Sequence, residues 1–199
     1  MRKWTFLFLS LFFAASAQAL NLKGVEISKR YHGGQDMPEL VLNGAAVRQK
    51  YLVVDVYVGA LYLERATQDP VVIMNDPGYK RMEFHLLRSV RGRVVADAIY
   101  ERMRLNITRE EAESMQKEID DFIRIFDHKI KEGELAALDY IPERGTRIEI
   151  NGKELGVIPG KRLYDAILSI WIGSHPVTES FKQGVLGLAS SEDAVARVD

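Results

Sequence analysis

From Glu39 to Leu87 the apolar residues come in short runs rich in valine, leucine and tyrosine, whereas from Ala112 to Ile130 they recur every three or four positions. Such a change of period dictates strands first and helices after, the α+β class. In the first half, Glu39 to Leu42 and Val47 to Leu63 read as strands separated by a turn at Asn43-Gly44, with Gly59 marking a bulge or bend. Val71 to Met74 and Arg81 to Leu87 read as two more, divided by the turn residues Asp76-Pro77-Gly78.

Helices follow. Gly92 to Met103 reads as a short one, and Thr108 opens a longer one, with Glu111 completing a capping box. Ala112, Met115, Ile119, Phe122, Ile123, Phe126 and Ile130 then form one apolar stripe over about six turns, a pattern of core packing rather than of a cofactor box. Glu113 with Lys117, Asp120 with Arg124 and Asp127 with Lys131 are acid-before-base pairs on the solvated side, each worth a few tenths of a kcal/mol. Thr146 to Ile150 and Lys153 to Ile158 flank Asn151-Gly152, a hairpin signal. Arg162 to Ile172 is helical in spacing and stops at Gly173, and Thr178 caps a last helix to Leu188. The tail, Ala189 to Asp199, reads as disordered.

With 199 residues, 47% hydrophobic and 28% charged, the chain suits one globular domain, expected over residues 20–188. Residues 1–19 read as a signal peptide: Arg2 and Lys3 are basic, Thr5 to Phe13 is apolar apart from Ser10, and Ala17-Gln18-Ala19 fits a signal-peptidase site. That apolar run is short of the ~20 residues of a spanning helix, so no membrane span is expected after cleavage. In a Gram-negative cell the destination would be the periplasm. The sequence has no cysteine, which excludes disulfides, a thiolate nucleophile, cysteine-ligated metals and a lipidated N-terminal cysteine. The formal charge is -1, and losing Arg2 and Lys3 takes Lys plus Arg from 27 to 25 against 28 acidic residues, or -3. Nothing in that balance asks for nucleic acid.

His32, His85, His128 and His175 are far apart and make no HxxxH or HxH pair, so no metal is expected. G-x-S-x-G, P-loop and G-x-G-x-x-G signatures are absent, so no cofactor is expected. Ser89 to Arg93, "SVRGR", is either a solvated basic turn or an anion site at a helix start.

The segment "VRQKYLVVDVYVGALYLE", followed about a hundred residues later by "AILSIWIGSHPVTESFKQGVLG", resembles the chalcone isomerase-like superfamily, and its exported bacterial branch in particular. The strand "RMEFHLL" and the hairpin "INGKELGVIPG" fall in the same order, so the resemblance spans most of the mature chain. It implies an open-faced antiparallel β-sheet packed on one side by helices, with a ligand cleft between the layers. Plant enzymes of this superfamily use an arginine of the early strand to hold negative charge during chalcone cyclisation, and Arg48 stands in the matching "GxxVR" context. The remaining plant polar positions fall near Val95, Arg102 and Ile170, so most of that catalytic set is missing. Related fatty-acid-binding members pair the arginine with a tyrosine, for which Tyr57 and Tyr62 are the candidates.

Three readings follow. In the first, the protein binds a small apolar or aromatic acid such as a fatty acid, with Arg48 and Tyr57 or Tyr62 at the carboxylate and Val54, Val56, Phe84, Leu86 and the helix stripe along the tail. In the second it is an isomerase or intramolecular lyase acting on a phenolic enone, with Arg48 and Tyr57 catalytic. In the third the cleft is vestigial and a surface around Trp171 and Pro176 binds another protein. Simple alternation in the strand puts Asp55 and Tyr57 on one face and Val54, Val56 and Val58 on the other. A bland alternative is that Arg48 and Asp55 form an ion pair on a half-exposed sheet.

Overall fold

The computed structural model describes residues 19–34, 37–51, 53–126 and 129–189. Residues 1–18, 35, 36, 52, 127, 128 and 190–199 lie outside the described residues, and with them most of the expected signal peptide and the expected disordered tail. A short hairpin of β1 (Leu20–Leu22) and β2 (Val25–Ile27) opens the described chain. β3 (Arg30–His32), β4 (Glu39–Lys50) and β5 (Val54–Leu63) follow. Helix α1 (Pro70–Asn75) leads to β6 (Lys80–Leu86) and the two-residue β7 (Val90–Arg91). Three helices come next: α2 (Gly92–Met103), α3 (Arg109–Ser114) and α4 (Gln116–Ile125). The chain then makes β8 (Lys129–Ile130), β9 (Leu135–Ile141), β10 (Gly145–Ile150) and β11 (Lys153–Ile158), and closes with α5 (Arg162–Ile172) and α6 (Glu179–Val185). Seven strands form one antiparallel sheet in the order β11-β10-β9-β6-β5-β4-β3.

The helices pack on one face of this sheet. Ile73 of α1, Met103 of α2, Phe122 of α4 and Phe181 of α6 share a core with Leu61, Met82, Leu138 and Ile148 of the strands. Helix α5 is buried on all sides, as its apolar composition demands. On the opposite face Leu22 and Ile27 of the first hairpin cover Val58, Ala60 and Tyr62 in a second, smaller core. No helix among the described residues is long and apolar enough to cross a membrane.

Several local expectations are corrected. Val71 to Met74 is not a strand: the Asp69 carboxylate accepts from the amides of Val71 and Val72, and Pro70 occupies the first turn, so capping overrides the β preference of two valines. Asn43-Gly44 is not a turn: β4 runs straight through with Asn43 as an extra residue against β5. Asn43 ties distant loops together, donating to the Val185 carbonyl at 2.9 Å and accepting from the Thr67 amide at 2.8 Å. Gly59 makes no bulge; a Cβ there would lie 2.5 Å from the ring of Phe181, so the glycine admits α6 to the sheet.

The long helix keeps its capping box at Thr108 and Glu111 but breaks at Met115, and Ile130 belongs to β8. Its surface pairs among the described residues are Arg109 with Glu113, Lys117 with Asp121 and Asp121 with Arg124, in place of Glu113 with Lys117 and Asp120 with Arg124; Asp127, expected to pair with Lys131, lies outside the described residues. The hairpin at Asn151-Gly152 forms, with both residues at positive φ. β9 escaped the sequence reading because Leu135 to Ile141 is largely buried on both faces, which erases alternation.

Candidate functional site

β4 and β5 pair through Arg48 and Tyr57 and then slip by one residue, so that Gln49 faces Asp55 and Val56 is left over. This bulge resets the side-chain parity of β5. Beyond it Tyr57, Leu61 and Leu63 face the helices, whereas Val58, Ala60 and Tyr62 face the first hairpin. Before it Val54 and Val56 share the side of Tyr57, and all three line one cavity of about 520 Å³ between sheet and helices. The simple alternation expected for Asp55 and Tyr57 therefore fails. Asp55 pairs with Lys23 at 3.2 Å and accepts from the Gln49 amide at 2.7 Å, so the proposed ion pair with Arg48 does not form.

Arg48, Tyr57, Val54, Val56, Phe84 and Leu86 are thus brought together on one wall. The neighbouring strands complete it, because Tyr57 pairs with Leu86 and Gly59 with Phe84 across β6. Ala136, Leu138 and Ile148 extend the wall into β9 and β10. α2 supplies the facing wall with Val94, Val95, Ala98 and Ile99, and the far end of the helical stripe contributes Phe126 and Ile130. The volume falls within the roughly 300–1,000 Å³ of small-molecule sites.

Tyr62 is not part of this cavity. It lies on the opposite face of β5 and donates to the Ser28 carbonyl at 3.0 Å. Strand parity separates it from Tyr57, which resolves the choice of tyrosine adjacent to Arg48.

Tyr57 is held from three sides. Phe84 and Phe181 meet it edge-on, at 5.3 and 5.7 Å between ring centres, and Trp171 of α5 donates its indole N–H to the phenolic oxygen at 2.9 Å. Burial pushes the phenol up to about 12, against the opposing influence of Trp171 and Arg48, so the hydroxyl stays protonated and can donate. Arg48 is half-buried, and its guanidinium donates to the Gln49 carbonyl. Burial lowers its pKa, the Tyr57 side chain opposes that, and the nearby Arg102 adds to it. It remains a cation.

Three further cations line the cavity: Lys50, Arg88 and Arg102, all exposed. In the sequence Arg102 stands out only as a departure from the plant pattern, and Lys50 and Arg88 carry no local motif that marks them. Trp171, placed in the core by its spacing, is both buried and a lining residue. Val95 and Ile170 line the cavity too, so two positions matched to plant polar residues are apolar here. Arg91 and Arg93 are exposed, and Arg93 lies 3.3 Å from Asp97, which favours the solvated-turn reading of the Ser89 to Arg93 segment over a closed anion site.

Among solved structures, a fatty-acid binding protein of Arabidopsis thaliana superposes with a TM-score of 0.67 at 16% identity, over 86% of this chain and 94% of that one. No curated protein matches. The chalcone isomerase-like family model matches residues 19–187, and the chain belongs to that family.

Proposed function

We propose that this protein is a non-catalytic carrier of a small apolar acid, a fatty acid foremost, bound between sheet and helices with its carboxylate at Arg48. The observation that carries this reading is the make-up of the lining. Among the described residues its charged members are Arg48, Lys50, Arg88 and Arg102, its other polar donors are Tyr57 and Trp171, and none of these described lining residues is a carboxylate or a histidine. A lining of cations and donors around an apolar hollow suits an anionic head on an apolar tail. The fatty-acid binding neighbour in Arabidopsis supports the same ligand class. An isomerase would need a base beside the reacting phenol; Tyr57 is held protonated, and Val95 and Ile170 offer none. The apolar run from Thr5 to Phe13 and the Ala17-Gln18-Ala19 site support the further reading that this carrier is exported and acts in a periplasm.

Native mass spectrometry of protein purified from its own cell envelope, followed by solvent extraction, tests the reading. A fatty or aromatic acid should be released from the wild type and lost from a folded Arg48→Ala variant. Repeatedly empty wild-type protein at full folded yield would overturn it and move weight to a protein-binding role.

A further inference from the structure

Large side chains are exposed where the cavity meets solvent. The turn joining β4 to β5 presents Tyr51 at 78% exposure and Val53 at 80%, the two most exposed of the large hydrophobic residues described. Lys50 and Val54, which bracket that turn, both line the cavity, and so does Val94, itself 60% exposed in the first turn of α2. Burial does not explain these side chains, and their position beside a lipid-sized hollow does not follow from the fold. The charged residues described as lining the cavity are all cations, and the nearby carboxylates Asp55 and Asp97 are paired with Lys23 and Arg93. Lys50, Arg88 and Arg102 are exposed cavity-lining cations, on a chain whose formal net charge is -1.

Exposed apolar tips ringed by cations match the chemistry of one partner, a bilayer bearing anionic headgroups. Apolar side chains enter the headgroup boundary while lysine and arginine remain at its negative surface. We infer that the mouth of the cavity, from Tyr51 and Val53 to Val94 of α2, docks on anionic lipid bilayers, so that the bound acid passes directly between membrane and cavity. This inference rests on the reading of the cavity as a lipid site, but the docking can be measured without any ligand.

The mature chain is sedimented with vesicles of phosphatidylcholine and with vesicles containing phosphatidylglycerol. It should associate with the second and not the first, and the association should weaken as salt rises, because screening shortens the reach of the cations. Val53→Asp, outside the cavity lining, should lower vesicle association at least tenfold while leaving affinity for dodecanoate unchanged. The transfer rate of a fluorescent fatty acid from protein to vesicles should rise with vesicle concentration in the wild type and become independent of it in the variant. No association, equal association with both lipids, or association indifferent to Val53→Asp would overturn docking and leave the carrier reading intact. A concentration-dependent dimer abolished by Val53→Asp would overturn it in favour of a second copy of the chain. Loss of dodecanoate binding in the wild type would instead count against the carrier reading.

Discussion

The indole N–H of Trp171 donates to the phenolic oxygen of Tyr57 at 2.9 Å, tying the central helix to the strand that carries the site. Because the phenolic oxygen accepts from the indole, its own proton is free to be donated to a bound anion. Helix α5 thereby orients the donor that stands across from Arg48 in the β4–β5 register.

Replacing Tyr57 by phenylalanine should therefore weaken dodecanoate binding by roughly 10- to 100-fold, the equivalent of a hydrogen bond of about 1.5–3 kcal/mol to a charged group. The same change strands the Trp171 N–H in the core and should cost about 1–3 kcal/mol of stability. Calorimetric titration and urea unfolding read the two losses separately. An unchanged affinity would remove Tyr57 from the carboxylate.

The protonated phenols also set an alkaline limit on the fold. Tyr57 ionises at about 12 when folded, against the model-peptide value of 10.0, chiefly because it is buried. Tyr62 and Tyr164 are shifted upward too, and burial is the first cause in each. A raised folded pKa contributes stability that is complete below pH 10 and is lost as pH climbs towards the folded value. Tyr57 alone accounts for about 2–3 kcal/mol of that loss. Thermal unfolding at pH 9 and pH 11 should show a marked drop in Tm, smaller in Tyr57→Phe. A Tm that is flat over this range would contradict the buried, protonated state.

How much of this was legible in the sequence depended on whether local chemistry or distant packing decided the outcome. The Asn151-Gly152 hairpin, the Thr108–Glu111 capping box and the α5 segment were readable because neighbouring residues determine them. Gly44 was misread as part of a turn because its reason lies far along the chain: a Cβ there would sit 2.2 Å from the carbonyl oxygen of Gly184. The candidate site divided in the same way. Arg48 came from its motif, whereas the choice between Tyr57 and Tyr62 turned on which of them pairs with Arg48, and the left-over residue Val56 decided that Val54 and Val56 join Tyr57 on the cavity wall; no single strand reveals that pairing. Arg88 and Lys50 reached the cavity mouth through tertiary geometry alone.

The face of the sheet turned away from the cavity carries a charge network that acts on stability. Asp139 is fully buried; both its oxygens lie 2.9 Å from one guanidinium nitrogen of Arg81, and Arg147 donates to Oδ2 from Nε at 2.9 Å. Arg81 also bonds Glu83 at 2.7 Å and Glu149 at 3.1 Å, and its guanidinium lies 4.1 Å from the ring centre of Tyr31. An asparagine at 139 keeps the shape but removes the charge and turns an amide N–H₂ towards guanidinium donors. Breaking a buried pair from one side costs about 3–5 kcal/mol. Asp139→Asn should lower the unfolding free energy read from urea denaturation by that amount, whereas Glu39→Gln, which breaks exposed pairs with Arg30 and His32, should cost under about 1 kcal/mol. Asp139 lies on the opposite side of β9 from the cavity-lining Leu138, so dodecanoate affinity of the folded variant should match the wild type. A small urea shift would mean that the network is replaceable; a large loss of affinity at full folding would mean that it positions the cavity through β9.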